Sequence, residues 1–160
     1  MRVVRFILVD LVEIILVTLM AALCVDIFIG VYTRYVMGEA AHWYEEAARY
    51  LFVWLAFLGA AVAVRRRLHF VVHLLVNRFD QRFKFYAELL CWGMVIGFSI
   101  FIMVQGIKVM EGLSVQESPA LGLTLSWVSL AVPVHGVLSF IYASNHLWQA
   151  FRKEKREGQN

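Results

Sequence analysis

This sequence predicts an all-α integral membrane protein with four transmembrane helices, both termini cytoplasmic, and an interfacial amphipathic segment between helices 2 and 3. Three observations lead there. Apolar residues make up 61% of the 160 positions and charged residues only 17%, with a mean hydropathy of +0.70; a soluble domain of that size keeps more charge at its surface. The apolar residues gather in four runs, near 9–32, 43–64, 85–107 and 125–148, each long enough as a helix to cross roughly 30 Å of hydrocarbon. Of the 15 lysines and arginines, all but Arg34, Arg49 and Lys108 fall in the N-terminus, the middle connector or the tail. Four crossings put those three segments on one side, and the basic excess makes that side cytoplasmic.

The first run follows Arg2 and Arg5. Asp10 and Glu13 interrupt its early part, and Leu23 rather than a small residue precedes Cys24. It therefore reads as a retained span and not as a cleaved leader. Asp10 and Glu13 share one face near the bilayer surface, where they favour the positive end of the helix dipole. Asp26 lies deeper, with two readings open: snorkelling to the nearby interface, or a buried partner such as Arg34 or Arg49. A short loop at 33–42 follows.

The second run is the most informative. Trp43, Glu45 and Glu46 form an acidic, aromatic entrance, and Arg65, Arg66 and Arg67 stop the helix after its apolar middle. Glu45 and Arg49 stand four apart with the acid first, the favoured order for a helical ion pair. Ala56, Gly59, Ala60 and Ala63 make a small-residue stripe suited to close helix packing. The connector at 65–84 carries Phe70, Val71, Leu74, Leu75 and Phe79 at helical spacing among basic residues; too short and charged to span, it reads as partly interfacial.

The third run holds Gly93-x-x-x-Gly97, a packing motif common in membrane helices. A second loop at 108–124 contains Glu111, Glu117 and Pro119. In the fourth run, Trp127 and Trp148 bracket the interfaces, and Pro133 should kink or loosen the helix. The whole reads as one membrane domain, residues 1–160, without repeat or low-complexity tract.

Several kinds of chemistry are disfavoured. Cys24 and Cys91 lie singly inside apolar runs, as small packing residues do. A haem-binding redox anchor would need two axial ligands at matched depth, yet only His135 lies deep in a run. His69 and His73 are four apart but have no thiol or carboxylate beside them for a metal. A stand-alone four-helix exporter with one intramembrane glutamate would insert both ways round, which the lopsided basic residues forbid. No nucleophile–base set, phosphate loop or paired carboxylates indicates an enzyme, and no basic face interleaved with aromatics suits nucleic acid.

Arg34-Tyr35, the block Trp43-x-Glu45-Glu46-x-x-Arg49-Tyr50-Leu51-Phe52-Val53-Trp54, Gly59-Ala60-Ala61 and the run from Arg65 to His69 resemble one family. It is the small membrane subunit (DctQ type) of tripartite ATP-independent periplasmic, or TRAP, transporters. Ser118-Pro119-Ala120-Leu121 and the Pro133 region are also similar to it, so the resemblance covers nearly the whole chain. His73 stands where that family often has an aspartate, so no role for that acid is carried over. The resemblance implies a scaffold without cofactor of its own, joined to a large membrane subunit that carries the sodium and substrate sites. A periplasmic binding protein would deliver an organic acid such as a dicarboxylate or sialic acid. It further implies partner or lipid contacts at Arg34, Trp43, Glu45, Glu46, Arg49, Trp54, Gly59, Arg65, Arg66, Arg67 and His69. Among these, Trp43 would be an interfacial anchor, Glu45, Glu46 and Arg49 would act at the outer surface, and Arg65 to Arg67 would meet inner-leaflet phosphates.

Overall fold

The computed structural model describes residues 2–38, 42–66 and 81–157, with side chains at 11–38, 42–66 and 86–152. The described residues are helical apart from short turns and a single antiparallel bridge, Glu117 to Thr124. Helix α1 is Arg2–Tyr32, running into a π-helical turn at Thr33–Met37; α2 is Trp43–Arg65, α3 is Gln81–Gly112, α4 is Leu125–Ser129 and α5 is Ala131–Glu157. Four stretches are long and apolar enough to cross a membrane: Leu11–Met37, Trp43–Arg65, Tyr86–Gly112 and Leu125–Arg152. They coincide with the four runs expected from sequence. The helices outlast those runs, because neither a glycine nor a proline stops α1 at Tyr32 or α3 before Gly112. The loop expected to begin at 33 is thus a π turn ended by Gly38 in the left-handed conformation (φ 70°). Most of the proposed interfacial segment, 67–80, lies outside the described residues.

Among the described residues the helices form a row and not a closed bundle: helix α1 packs on α2 alone, α2 lies between α1 and α5, and α5 lies between α2 and α3. The sequence explains why α1 accepts one neighbour. Apart from Glu13, its less exposed positions among those described, Val12, Leu16, Leu19, Leu23, Asp26 and Gly30, continued by Thr33 of the π turn, recur at alternating steps of four and three, the spacing of a coiled-coil seam. The rest of its surface is apolar and open, with Ile14, Val17 and Phe28 largely exposed. In lipid this exposure carries no penalty, so the seam is held by close packing and polar ties.

Helices α3 and α5 meet most extensively, through glycines other than those of the sequence motif. A Cβ on Gly106 would stand 2.8 Å from the Pro133 ring, and one on Gly136 would stand 2.9 Å from Met103 Cβ and 3.0 Å from its backbone. Gly93 and Gly97 have open space where a Cβ would go. Their motif faces away from the other described helices. The small-residue stripe of α2 behaves similarly: Ala56 and Ala60 are exposed, while Leu58, Ala61, Val62 and Val64 are buried. Pro133 does interrupt the fourth span. It lacks the N–H that would reach Ser129, and the helix breaks at Leu130 between α4 and α5. The core joins α2, α3 and α5 through Ala61, Val64, Trp92, Tyr142 and Ala143.

Candidate functional site

Helix α2 is tied to its neighbours at both ends and in the middle. At its Trp43 end, Glu46 clasps the turn that follows α3. Glu46 Oε2 accepts the backbone N–H groups of Ala120 (3.0 Å) and Leu121 (3.2 Å), and Oε1 accepts the Tyr50 hydroxyl at 2.9 Å. The turn is shaped to offer them. Ser118 N–H donates to Leu123 O at 2.8 Å, Gly122 N–H donates to Ser118 O at 2.9 Å, and Gly122 has φ 63°. The Ala120 amide finds its acceptor in Glu46, and the Leu121 amide is shared between Glu46 and Ser118 Oγ, 3.2 Å from each. A carboxylate accepting several N–H groups makes charge-assisted bonds, the stronger kind. Both Glu46 and the Ser-Pro-Ala-Leu turn stand out in the sequence, but nothing in their spacing says that they meet.

Around the clasp, Trp43 is half exposed and stands edge-on to Tyr44, with ring centroids 5.6 Å apart. Tyr44 is buried against Gly30, where an added Cβ would come within 2.8 Å of its ring. Arg34 is exposed in the π turn. The anticipated Glu45–Arg49 ion pair is absent from the described contacts; both side chains are exposed on the helix surface, where such a pair gains little over hydration. Trp54 is half-buried, and Gly59 has open space beside it. Asp26 sits on the α1–α2 seam with its Oδ2 shielded and without a hydrogen-bond partner among the described residues, so neither Arg34 nor Arg49 serves it.

At mid-depth His135, buried on α5, donates from Nδ1 to the Phe57 carbonyl of α2 at 2.9 Å, with Ser139 Oγ 3.4 Å from the same nitrogen. This histidine links two helices.

At the Arg65 end all four spans converge. Arg65 and Arg66 both donate to Glu13 Oε1 of α1, Arg66 at 2.9 Å. The side chain of Arg65 is 18% exposed and that of Arg66 57%. His146 of α5 donates from Nε2 to the Arg65 carbonyl at 2.9 Å and stacks on Trp92 of α3, with centroids 4.6 Å apart. Trp92 in turn donates to Glu88 at 3.4 Å. The sequence treats Glu13 as a hydrated acid near a helix start. An available signal was its depth: in consecutive antiparallel spans, an acid at the start of one comes level with a base at the end of the next. Arg67 and His69 lie outside the described residues.

An open row of four helices long and apolar enough to cross a membrane, tied together at both ends, is the architecture of a multi-pass membrane protein. Residues 23–153 match the family model for tripartite ATP-independent periplasmic transporters, DctQ component, and the chain belongs to that family. It is 28% identical over 137 residues to the sialic acid TRAP transporter small permease protein SiaQ of Vibrio cholerae, covering 86% of this chain and 79% of that protein. A putative TRAP transporter small permease protein of Haemophilus influenzae is 30% identical over 131 residues, 79% of this chain and 78% of the relative. The sialic acid TRAP transporter permease protein SiaT of Haemophilus influenzae is 26% identical over 122 residues, 76% of this chain but only 20% of that longer protein. The chain is therefore a small permease subunit of a TRAP transporter, a multi-pass inner-membrane transport component and not an enzyme.

Proposed function

We propose that this subunit is a static brace for a large TRAP membrane subunit, which carries the sodium and substrate sites and performs the movement. The transported solute is an organic acid, such as a dicarboxylate or sialic acid, delivered by a periplasmic binding protein. Both termini lie in the cytoplasm, with the Glu46 clasp at the periplasmic surface and the Arg65 end at the inner leaflet. Arg34, Glu45 and Arg49 face the partners from the outer side.

One observation carries this reading: among the described residues Glu46, Tyr50 and Arg65 of α2 are spent on ties within the chain, while the outer faces of the row are left bare. On α3 the uncovered face comprises Leu90, Met94, Phe98 and Phe101, each about 60% exposed or more, beside the open Gly93 and Gly97. Small residues there let a second backbone approach closely. The match to a fifth of SiaT supports the same reading, since in that relative the equivalent part belongs to a longer permease chain. Replacing Glu46 and Arg49 by alanine and measuring co-purification with the large subunit, together with uptake, tests the proposal. Loss of complex and of uptake is expected; unchanged yield and uptake would refute it.

A further inference from the structure

Asp26 takes no part in the ties that hold the row together. The Leu11–Met37 span is centred on Cys24, and Asp26 lies two positions further on, roughly 3 Å along the axis. Hydrocarbon therefore extends well beyond it in both directions. Snorkelling does not relieve the acid. Its nearer surface is at the C-terminal end of the span, whereas side chains on a helix lean toward the N-terminal end, and one methylene gives the carboxyl little reach. The seam also keeps water away. Leu23 is buried one turn before Asp26, and one turn after it the Tyr44 ring is buried against Gly30.

The surrounding polar groups are engaged elsewhere or turned outward. Thr33 donates to the carbonyls of Ile29 and Gly30, and the Tyr50 hydroxyl donates to Glu46. Arg34 and Arg49 are exposed. Among the described residues nothing donates to Asp26, whose Oδ2 is shielded. The residue as a whole is only half-buried, so the carboxyl stands at the edge of the α1–α2 seam, within reach of a neighbour. An acid at membrane depth faces protein or water and has a partner. Lipid tails carry no donor and headgroups stay at the surfaces, so a neighbour able to satisfy Asp26 here is another membrane helix.

We propose that Asp26 accepts a hydrogen bond from a side chain on a transmembrane helix of the large subunit, packed along this edge of α1 and α2. The contact rests on the reading of this chain as a brace for that subunit, and it adds a polar tie at mid-depth to the apolar face of α1. None of the partner contacts implied by the family resemblance includes Asp26.

The test compares the purified chain alone with the chain bound to its large subunit in mild detergent. Asp26→Leu should weaken the complex roughly threefold to twentyfold, the range of single interhelical hydrogen bonds in membranes, and Asp26→Asn, which still accepts, should keep part of the affinity. In the chain alone Asp26→Leu should leave or raise the unfolding midpoint, because it removes a polar atom that has no partner there. A benzophenone amino acid at Ile29, one turn away on the same side of α1, should crosslink to the large subunit. Unchanged affinity of Asp26→Leu, a lowered midpoint of the chain alone, or crosslinking at Ile29 only to lipid or to a second copy would overturn the proposal. The unsubstituted chain separates the two readings. If it binds the large subunit while any of those results appears, the Asp26 contact alone is refuted; if it does not bind, the brace fails with it.

Discussion

The glycines give the sharpest prediction, because the sequence motif and the packing disagree about which ones matter. Gly136→Ala would place a Cβ 2.9 Å from Met103 Cβ and 3.0 Å from Met103 N and Cα. Backbone atoms of a packed helix cannot swing aside as a side-chain end can, so α3 and α5 must separate. Overpacking of this kind costs about 1–3 kcal/mol, against roughly 1 kcal/mol gained by replacing glycine with alanine inside a helix. The net expectation is a loss of up to about 2 kcal/mol. Gly106→Ala meets the rigid Pro133 ring at 2.8 Å and its nitrogen at 2.9 Å, and should behave alike. Gly93→Ala meets nothing within 4 Å, so only the helix-propensity gain remains. At roughly 2–4 °C per kcal/mol for a chain of this size, Gly136→Ala should lower the midpoint of the detergent-purified chain by a few degrees, while Gly93→Ala should leave or raise it. Thermal unfolding followed by size-exclusion chromatography measures both. Equal destabilisation by the two substitutions would refute the packing described for α3 and α5.

Glu46→Ala should free the Ala120 amide and leave Leu121 with Ser118 Oγ alone, visible as faster hydrogen exchange confined to the turn after α3, most of all at Ala120, while α5 amides stay protected. Glu13→Gln should weaken the tie between α1 and α2 by removing the charge that Arg65 and Arg66 both meet, read as faster hydrogen exchange of α1 amides while α5 amides stay protected. His135→Ala should cost about 1–2 kcal/mol, an interhelical hydrogen bond of roughly 0.6 kcal/mol plus the cavity left behind, read as a lower unfolding midpoint. Trp92→Ala removes a buried ring stacked on His146 and should cost about 3 kcal/mol in the same assay.

The four spans were legible because membrane crossing imposes a long apolar run, and such a run is a local property of the sequence. The break near Pro133 was equally legible, since the missing N–H acts within its own helix. What escaped sequence reading depends on which helices touch. The 4-3 alternation of Val12, Leu16, Leu19 and Leu23 is present in the sequence, but on an apolar helix it disappears among Ile14, Ile15 and Val17, which lipid tolerates equally well. Glycine spacing pointed to Gly93 and Gly97 because a motif records one helix, whereas Gly106 and Gly136 are required by what stands opposite them. Glu46 was singled out, yet the amides that donate to it lie more than seventy residues away; only the turn at Ser118, which points two successive N–H groups at one place, explains why a carboxylate is needed there. Glu45 and Arg49 erred the other way: favourable spacing did not outweigh hydration on an exposed face.

A static brace is tested most directly by uptake into proteoliposomes that contain the large membrane subunit and the periplasmic binding protein, with and without this chain, and into proteoliposomes that contain this chain alone. Sodium-driven accumulation of the organic acid should require the chain together with the large subunit. Accumulation by the chain alone, or undiminished accumulation in its absence, would contradict it.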